Sequence, residues 1–407
     1  MTANKEVFTQ NCIFASSNGC LYSITIDDKN IWACGEVYGN PWDRPLIVCI
    51  DKDSRKITTQ KHILTPGEGC LDSIARDSNG NIWMCGSIYE RPFCNPIFLV
   101  IDKNTKKMIQ KRVLLPFDGL LKSIALNDDN EVWMCGCIDN NSHIEPFFVV
   151  LNKDTKGVIT RRCIPTPSAG NLKSITADSD GNMWMCGYIY VNGYDKPLII
   201  VVDKDTKEVV IQKYISVPTR GYLNSITEGP DGNIWVCGEV LEGSYTRPFI
   251  VCIDKNTKEI SIQRCITTFG DGKVCFIAKD FDKNIRAYGF LGNKPFSFFI
   301  SKDIKEMSIQ RYVLSNGGCL HSAILDGNSM WMCGGVGIDS GEKPFVMDID
   351  LTDTLNTYPF IEEISFRFEE NCYTVETNYT TEDITSRLVV SINYPIETTS
   401  YVIKTLE

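Results

Sequence analysis

The stretch Asn81-Ile-Trp-Met-Cys-Gly86 recurs along the chain and decides the fold. Further copies are Asn30-Ile-Trp-Ala-Cys-Gly35, Glu131-Val-Trp-Met-Cys-Gly136, Asn182-Met-Trp-Met-Cys-Gly187, Asn233-Ile-Trp-Val-Cys-Gly238, Ser329-Met-Trp-Met-Cys-Gly334 and the degenerate Asn284-Ile-Arg-Ala-Tyr-Gly289. The tryptophan position falls at 32, 83, 133, 184, 235, 286 and 331, so the period is 45 to 51 residues. Self-similarity at a fixed period is typical of repeat architectures and here predicts seven units.

Each unit contains four segments with the composition of β-strands. The turn Asp77-Ser-Asn-Gly-Asn81 joins the first two, because Asn and Gly favour the positive φ of a tight hairpin. Pro248-Phe-Ile-Val-Cys-Ile253 is a typical third strand, and Asp254-Lys-Asn-Thr-Lys258 turns the chain into the fourth. Helical periodicity is absent and the strands are apolar on both faces. The pattern therefore predicts an all-β, seven-bladed β-propeller.

The two ends of the chain are expected to form different structures. Lys5 to Phe14 matches the fourth-strand segment Lys258 to Thr267, so the N-terminal strand is predicted to complete blade seven and close the ring. The alternative is that Thr357-Tyr-Pro-Phe-Ile361 supplies that strand. Residues 1–350 are predicted to form the propeller and residues 351–407 a small β appendage. This appendage has ten acidic and three basic residues, which is −7 of the net charge of −10.

Composition narrows the class of protein. The chain has 407 residues, 43% of them hydrophobic and 23% charged, as in folded proteins with a large core. A net charge of −10 argues against general nucleic-acid binding. Apolar runs are too short for a membrane span, and the first ten residues lack the apolar centre of a signal peptide. With 18 cysteines placed mainly in strands, we expect buried thiols in a cytoplasmic, monomeric protein.

One unit resembles a known propeller repeat. Leu223-Asn-Ser-Ile-Thr227 followed by Glu228-Gly-Pro-Asp-Gly-Asn-Ile-Trp235 is similar to the repeat of streptogramin B lyases and related NHL-like propellers. The resemblance covers the first hairpin of about six units and implies the fold. It also implies a lactone-eliminating activity that uses magnesium, a histidine base and carboxylate ligands. The chain has three histidines, His62, His143 and His321, and none lies on a motif of that family.

Variable positions in a repeat are free to serve binding, whereas uniform positions serve the fold. The turns that nearly all units share, such as residues 77–81 and 254–258, lie on one face of the predicted propeller. The loops between second and third strands differ between units and lie on the opposite face. They contain tyrosine and tryptophan residues, which are typical binding anchors or caps of blade interfaces. These residues are Tyr38, Trp42, Tyr89, Tyr190, Tyr194 and Tyr245.

A second variable set precedes the proline that begins each third strand. These rim positions are Arg44, Asn95, Glu145, Lys196, Arg247, Lys294 and Lys343. Five of the seven are basic, which indicates either a solvated ring of charges or a positive rim that receives carboxylate or phosphate groups. The acidic tail is one candidate occupant of such a rim.

A third variable set lies within the first strand of each unit, between near-constant Leu and Ser. These axial positions are Tyr22, Asp72, Lys122, Lys173, Asn224, Cys275 and His321. They are predicted to surround the mouth of the central channel, where ligands or partner segments bind, unless they only tolerate variation at a solvated site. Asp72 with Lys122 or His321 is a possible acid–base pair.

The sixth unit departs from the repeat. Arg286 replaces the tryptophan, Tyr288 the cysteine and Phe276 the serine, and its loop is short. This pattern is explained either by decay of one unit or by a gap in the rim through which a partner enters.

No catalytic residue, cofactor or metal site is predicted. The repeated cysteines Cys34, Cys85, Cys135, Cys186, Cys237 and Cys333 lie in separate units, too far apart to share a metal ion. Cys135 and Cys137 form a close pair without a second pair. Asp178-Ser-Asp-Gly-Asn182 lacks the later glutamate of a calcium loop and fits a hairpin turn.

The sequence favours a non-enzymatic intracellular scaffold that recognises a protein or another anionic partner through its variable face. The alternative is a lyase or hydrolase with its site at the channel mouth, because propellers host both roles. A carbohydrate-binding propeller is a third possibility, although six of the seven tryptophans occupy the repeat position.

Overall fold

The computed structural model is built from antiparallel β-strands. It describes residues 12–14, 18–39, 41–90, 93–113, 118–127, 130–140, 143–217, 219–266, 271–279, 284–292, 294–300, 306–311, 318–327, 329–338, 341–350, 363–369 and 372–377. Among these residues there is no helix, and hence none with the length and apolarity needed to cross a membrane.

The strands follow the repeat closely. The first half of the chain forms β1 (Cys12–Phe14), β2 (Gly19–Ile26), β3 (Asn30–Val37), β4 (Arg44–Asp51), β5 (Lys56–His62), β6 (Glu68–Arg76), β7 (Ile82–Glu90), β8 (Phe93–Ile101), β9 (Met108–Arg112), β10 (Asp118–Leu126), β11 (Glu131–Asp139), β12 (Ile144–Asn152), β13 (Val158–Cys163), β14 (Gly170–Ala177), β15 (Met183–Val191), β16 (Tyr194–Val202) and β17 (Val209–Tyr214). The second half forms β18 (Gly221–Glu228), β19 (Ile234–Glu242), β20 (Tyr245–Ile253), β21 (Ile260–Cys265), β22 (Gly272–Lys279), β23 (Ile285–Leu291), β24 (Lys294–Ile300), β25 (Glu306–Arg311), β26 (Gly318–Asp326), β27 (Ser329–Ile338), β28 (Gly341–Asp350), β29 (Glu363–Glu369) and β30 (Cys372–Thr377).

These strands form six four-stranded sheets and one six-stranded sheet. The four-stranded sheets are β2–β5, β6–β9, β10–β13, β14–β17, β18–β21 and β1-β28-β27-β26. The first strands contact one another in chain order from β2 through β6, β10, β14, β18 and β22 to β26, and β26 contacts β2. Sheets arranged around an axis in this way make an all-β β-propeller.

The six-stranded sheet differs from the prediction. It contains β22 to β25 in the expected order, followed by β29 and β30. β29 pairs antiparallel with β25, with Ile364 opposite Ile309, so this part of the predicted appendage extends a propeller sheet. The physical reason is that β25 is an outermost strand whose free edge can accept another strand. Residues 357–361, the alternative closing strand, lie outside the described residues, whereas β1 pairs with β28 through Ile13 and Val346.

The core lies between neighbouring sheets. One cluster joins Trp83 and Phe98 of one sheet to Leu121 and Phe147 of the next, and five other clusters repeat this arrangement. The cluster that contains Tyr288 has no tryptophan. The cluster between the last and first sheets contains Trp331 with residues of β2 to β4. The prediction of core thiols is confirmed, because the six repeated cysteines are fully buried: Cys34, Cys85, Cys135, Cys186, Cys237 and Cys333.

The uniform turns are structural. Gly80 has a φ of 85°, as the predicted hairpin requires. The Asp77 carboxylate accepts hydrogen bonds from the Asn81 backbone and, at 2.9 Å, from the Trp83 indole nitrogen. Asp178 and Trp184 repeat this contact at 2.8 Å, so the segment considered as a calcium loop uses its first carboxylate within the protein.

Candidate functional site

A β-bulge in every first strand creates the site. The pairing between first and second strands skips one residue at the same point of each unit, for example between Leu121 and Ser123. The skipped residues are the axial positions Tyr22, Asp72, Lys122, Lys173, Asn224, Cys275 and His321. A bulge re-aims the side chain of its extra residue. All seven axial residues line one cavity of about 200 Å³ at the centre of the ring.

The residues beside each bulge hold it in place. Leu121 is fully buried, and the Ser123 hydroxyl accepts a hydrogen bond of 3.3 Å from the backbone nitrogen of Ile175 on the next first strand. The same bond links Ser23 to Ile74, Ser73 to Ile124, Ser174 to Ile226 and Ser225 to Ile277. The near-constant Leu and Ser of the repeat therefore fix the axial side chains.

One part of the cavity is a cationic cluster. The Lys122 ammonium donates to the Asp72 carboxylate at 2.8 Å, and Cys70 donates to the other Asp72 oxygen at 3.2 Å. Burial lowers the pKa of Lys122, but the negative charge of Asp72 has the larger effect, and the pKa of the lysine is raised. Of the two pairings considered for Asp72, the structure thus brings together the one with Lys122, as an ion pair.

Lys173 and Lys273 complete this cluster, which we call the lysine cluster (Lys122, Lys173 and Lys273). Burial, followed by the charges of Lys122 and Lys273, lowers the pKa of Lys173. Burial raises the pKa of Glu239. The charges of the nearby Lys273 and Lys173 oppose this effect. Within the described part of the chain, neither Lys173 nor Lys273 has a carboxylate at ion-pair distance, in contrast to Lys122.

His321, which lines the cavity, belongs to a cluster of sulfur and imidazole groups. Cys20 on β2 and Cys319 and His321 on β26 form the thiol cluster, whose ligand atoms lie within 4.8 Å of one another. The Cys319 sulfur is 3.0 Å from His321 Nε2. A hydrogen bond from Cys20 and the neighbouring His321 lower the pKa of the Cys319 thiol against the opposing effect of burial.

The wall around the thiol cluster is also ordered. The Tyr22 ring meets the His321 ring edge to face, with centroids 5.3 Å apart. The Tyr22 hydroxyl donates to Glu36 at 2.5 Å. Cys20 and Cys319 are not among the predicted site residues, because they do not occupy the variable position between Leu and Ser. The available signal was the position just before the constant Leu, which is cysteine in three units: Cys20, Cys70 and Cys319.

The predicted loop and rim residues lie outside this cavity, and several are used within the protein. Lys196 donates to the carbonyl oxygens of Val217 and Thr219 at 2.8 and 2.6 Å. Arg247 is 3.5 Å from the Glu242 carboxylate and lies over the Tyr245 ring. Tyr194 is exposed beneath the Lys196 ammonium.

The remaining rim residues occupy strand ends. Arg44 begins β4 opposite Val37, Lys343 pairs with Val336 in the last sheet, and Trp42 is partly buried before β4. Arg44, Lys196, Arg247 and Lys343 thus belong to four different sheets.

The three histidines belong to three different repeat units. His62 ends an outermost strand, His143 lies 3.2 Å from Glu145, and His321 lies in the cavity. The neighbours of His321 are Cys319 and Tyr22, and no set of carboxylates surrounds it among the described residues. This arrangement differs from the histidine and magnesium-binding carboxylates that the lyase resemblance implies.

No protein-family model and no curated protein sequence matches the chain. Solved structures do match its fold. Sqt1 of Chaetomium thermophilum, bound to the N-terminus of the ribosomal protein L10, aligns over 83% of this chain and 98% of its own, with a TM-score of 0.51 and 10% identity. Drosophila Semaphorin 1b aligns over 83% and 86%, with a TM-score of 0.50 and 8% identity.

A puromycin-hydrolyzing peptidase of Mycobacterium tuberculosis also matches, over 82% of this chain and 51% of its own, with a TM-score of 0.51 and 10% identity. At such identities the likeness concerns the fold alone. The comparisons and the sheet order together identify the chain as a β-propeller.

Proposed function

We propose that this protein is a non-enzymatic binding scaffold whose axial cavity receives an acidic side chain of a protein partner. The observation that carries the proposal is the lysine cluster, in which only Lys122 has a carboxylate at ion-pair distance among the described residues. Of the charges that act on Lys173, those of Lys122 and Lys273 have larger effects than those of Asp72 and Glu239. Lys173 and Lys273 are half-buried, and a half-buried cation without a carboxylate at ion-pair distance favours a bound anion.

The size of the cavity defines what enters it. A volume of about 200 Å³ accommodates a carboxylate side chain, but not a folded domain. The serine hydroxyls beside the axial positions accept hydrogen bonds from backbone N–H groups. A hydroxyl that accepts one hydrogen bond can still donate another. A ligand carboxylate would therefore meet both ammonium and hydroxyl donors.

The surrounding loops support a macromolecular partner. Each second-to-third-strand loop lies beside the beginning of a first strand, and the bulge follows three or four residues further along that strand. Exposed aromatic residues lie in these loops or at the strand ends beside them, and aromatic anchors are typical of protein interfaces. They are Tyr38, Tyr89, Phe93, Tyr190, Tyr194 and Tyr245. That Sqt1, a propeller of similar fold, is bound to a segment of L10 is consistent with this mode of binding.

We further propose that β22 to β25 form one blade of a seven-bladed ring and that the pairing of β1 with β28 closes the ring. The contacts of β22 with both β18 and β26, and of β26 with β2, support this count. The free thiols of the described residues support a reducing, intracellular location. We propose that the ring acts as a monomer.

The test is calorimetric titration of the full chain with a glutamate-rich peptide. We expect binding that weakens as salt is added, and at least a tenfold loss of affinity in Lys173→Met. Lys213→Met, which changes an exposed lysine paired with Glu259, is the matched control and should bind as the unmodified protein does. Equal affinity in both variants, or no binding by the unmodified protein, would contradict the proposal.

Binding should also depend on pH. Because burial and neighbouring lysines lower the pKa of Lys173 from 10.5, this group loses its proton at a lower pH than an ordinary lysine. The affinity for the peptide should therefore fall as the pH rises toward 10.5. The same titrations at increasing pH measure this, and an affinity that rises over that range would count against a role for Lys173.

A further inference from the structure

We propose that the thiol cluster binds one zinc ion, with Cys20, Cys319 and His321 as ligands and Glu342 as the fourth. This site is separate from the lysine cluster and does not depend on the proposed binding function. Two cysteines and a histidine with a carboxylate nearby are a ligand set that zinc accepts.

The distances fit a tetrahedral ion. Zinc binds sulfur at about 2.3 Å and nitrogen at about 2.0–2.1 Å, so neighbouring ligand atoms around it are about 3.5–3.8 Å apart. The sulfur of Cys319 lies 3.0 Å from His321 Nε2, and the three ligand atoms are all within 4.8 Å of one another. Small side-chain rotations therefore bring them to the required separation.

A carboxylate lies beside the cluster, next to Cys319. Glu342 Oε1 lies 3.6 Å from the Cys319 sulfur, and its Oε2 accepts a hydrogen bond of 2.8 Å from the Tyr38 hydroxyl. An outer hydrogen bond of this kind fixes the orientation of a metal ligand. The ring of Tyr22 limits the rotation of His321 from the other side.

The choice of zinc follows from the donor types. Thiolates also suit copper(I), but imidazole and carboxylate are harder donors, and the mixed set favours zinc. Cys20 belongs to the first sheet, and Cys319, His321 and Glu342 belong to the last. A metal ion here would join the two sheets that come from opposite ends of the chain, and by binding only the folded ring it would stabilise the protein.

The experiment uses the reduced full chain and cobalt(II) as a spectroscopic substitute for zinc. We expect one equivalent of cobalt to give thiolate charge-transfer absorption and the visible bands of a tetrahedral ion, both displaced by zinc. Cys319→Ser and His321→Gln should lose these bands. Cys70→Ser is the matched control, because Cys70 occupies the same position of another unit beside a lysine-paired Asp72, and it should keep them.

Further readouts test the site where one variant fails to fold. Zinc should raise the melting temperature of the unmodified protein but not that of Cys20→Ser. Tyr38→Phe should weaken zinc binding by about tenfold, as expected for loss of an outer hydrogen bond. Absence of tetrahedral bands, their persistence in Cys319→Ser, or their equal loss in Cys70→Ser would overturn the proposal. So would a Cys20–Cys319 disulfide in protein purified under reducing conditions.

Discussion

Five contacts between neighbouring first strands are alike, and the contact between β22 and β26 is not. From β2 to β22, a serine hydroxyl of one strand accepts the backbone N–H of an isoleucine on the next. In β22, Phe276 takes the place of that serine and packs against Tyr288, whose hydroxyl donates to the Met330 sulfur at 2.9 Å. The repeat builds the ring, whereas departures from it give individual positions their chemistry.

The largest effect is expected in the regular part. Trp133 is fully buried, stacks on Phe148 with centroids 5.5 Å apart and donates to Glu131 at 3.0 Å. Trp133→Ala should lower the free energy of unfolding by about 3–5 kcal/mol, measured by urea unfolding. Tyr214→Ala, at an exposed site on an outermost strand, is the control and should change it by less than about 0.5 kcal/mol. A similar small change in Trp133→Ala would mean that the repeat tryptophan does not hold the blades together.

A smaller effect should come from one serine link. Ser123→Ala leaves the buried N–H of Ile175 without its acceptor, which costs about 1–3 kcal/mol of unfolding free energy. Ser54→Ala removes a hydroxyl that bonds Asp51 in an exposed turn and should cost less than about 0.5 kcal/mol. If both variants unfold at the same urea concentration, the serine hydrogen bond between first strands contributes no measurable stability. The contact between β22 and β26, which has Phe276 in place of the serine, would then be as stable as the other five.

The repeat is predictable from the sequence because each of its elements is local. The turn at Gly80, the indole contact of Trp83 and the variable residue between Leu and Ser all lie within one unit. The contacts between side chains of different units could not be predicted in the same way. Asp72 and Lys122 belong to adjacent units, and Cys20 and Cys319 to opposite ends of the chain, so their contacts exist only once the ring is assembled.

The predicted positive rim shows a related limit. The charge of the rim was predicted from residue types alone. In the structure, the Lys196 ammonium donates to two backbone carbonyls of the neighbouring loop, and Arg247 lies beside Glu242. Loop backbone positions do not follow from the repeat, because the loops are where the units differ. The lysine cluster could be recognised as cationic only after the bulge had placed Lys122 and Lys173 in one cavity.

The smallest effect is expected at Lys173, with the opposite sign. Its pKa is lowered by burial and then by Lys122 and Lys273, so the folded state binds fewer protons than the unfolded state between that lowered pKa and 10.5. Stability therefore rises with pH across this window, and at neutral pH the charged lysine destabilises the ring. Lys173→Met should raise the urea midpoint slightly at neutral pH, and the difference from the unmodified protein should shrink toward pH 10.5.

Lys213→Met is again the comparison, since an exposed ion pair contributes little to stability. A residue that costs stability while it serves binding is expected at a functional site, unlike Trp133 or Ser123. If Lys173→Met instead unfolds at lower urea than Lys213→Met, Lys173 stabilises the fold, and the division between structural repeat positions and axial binding positions fails at this residue.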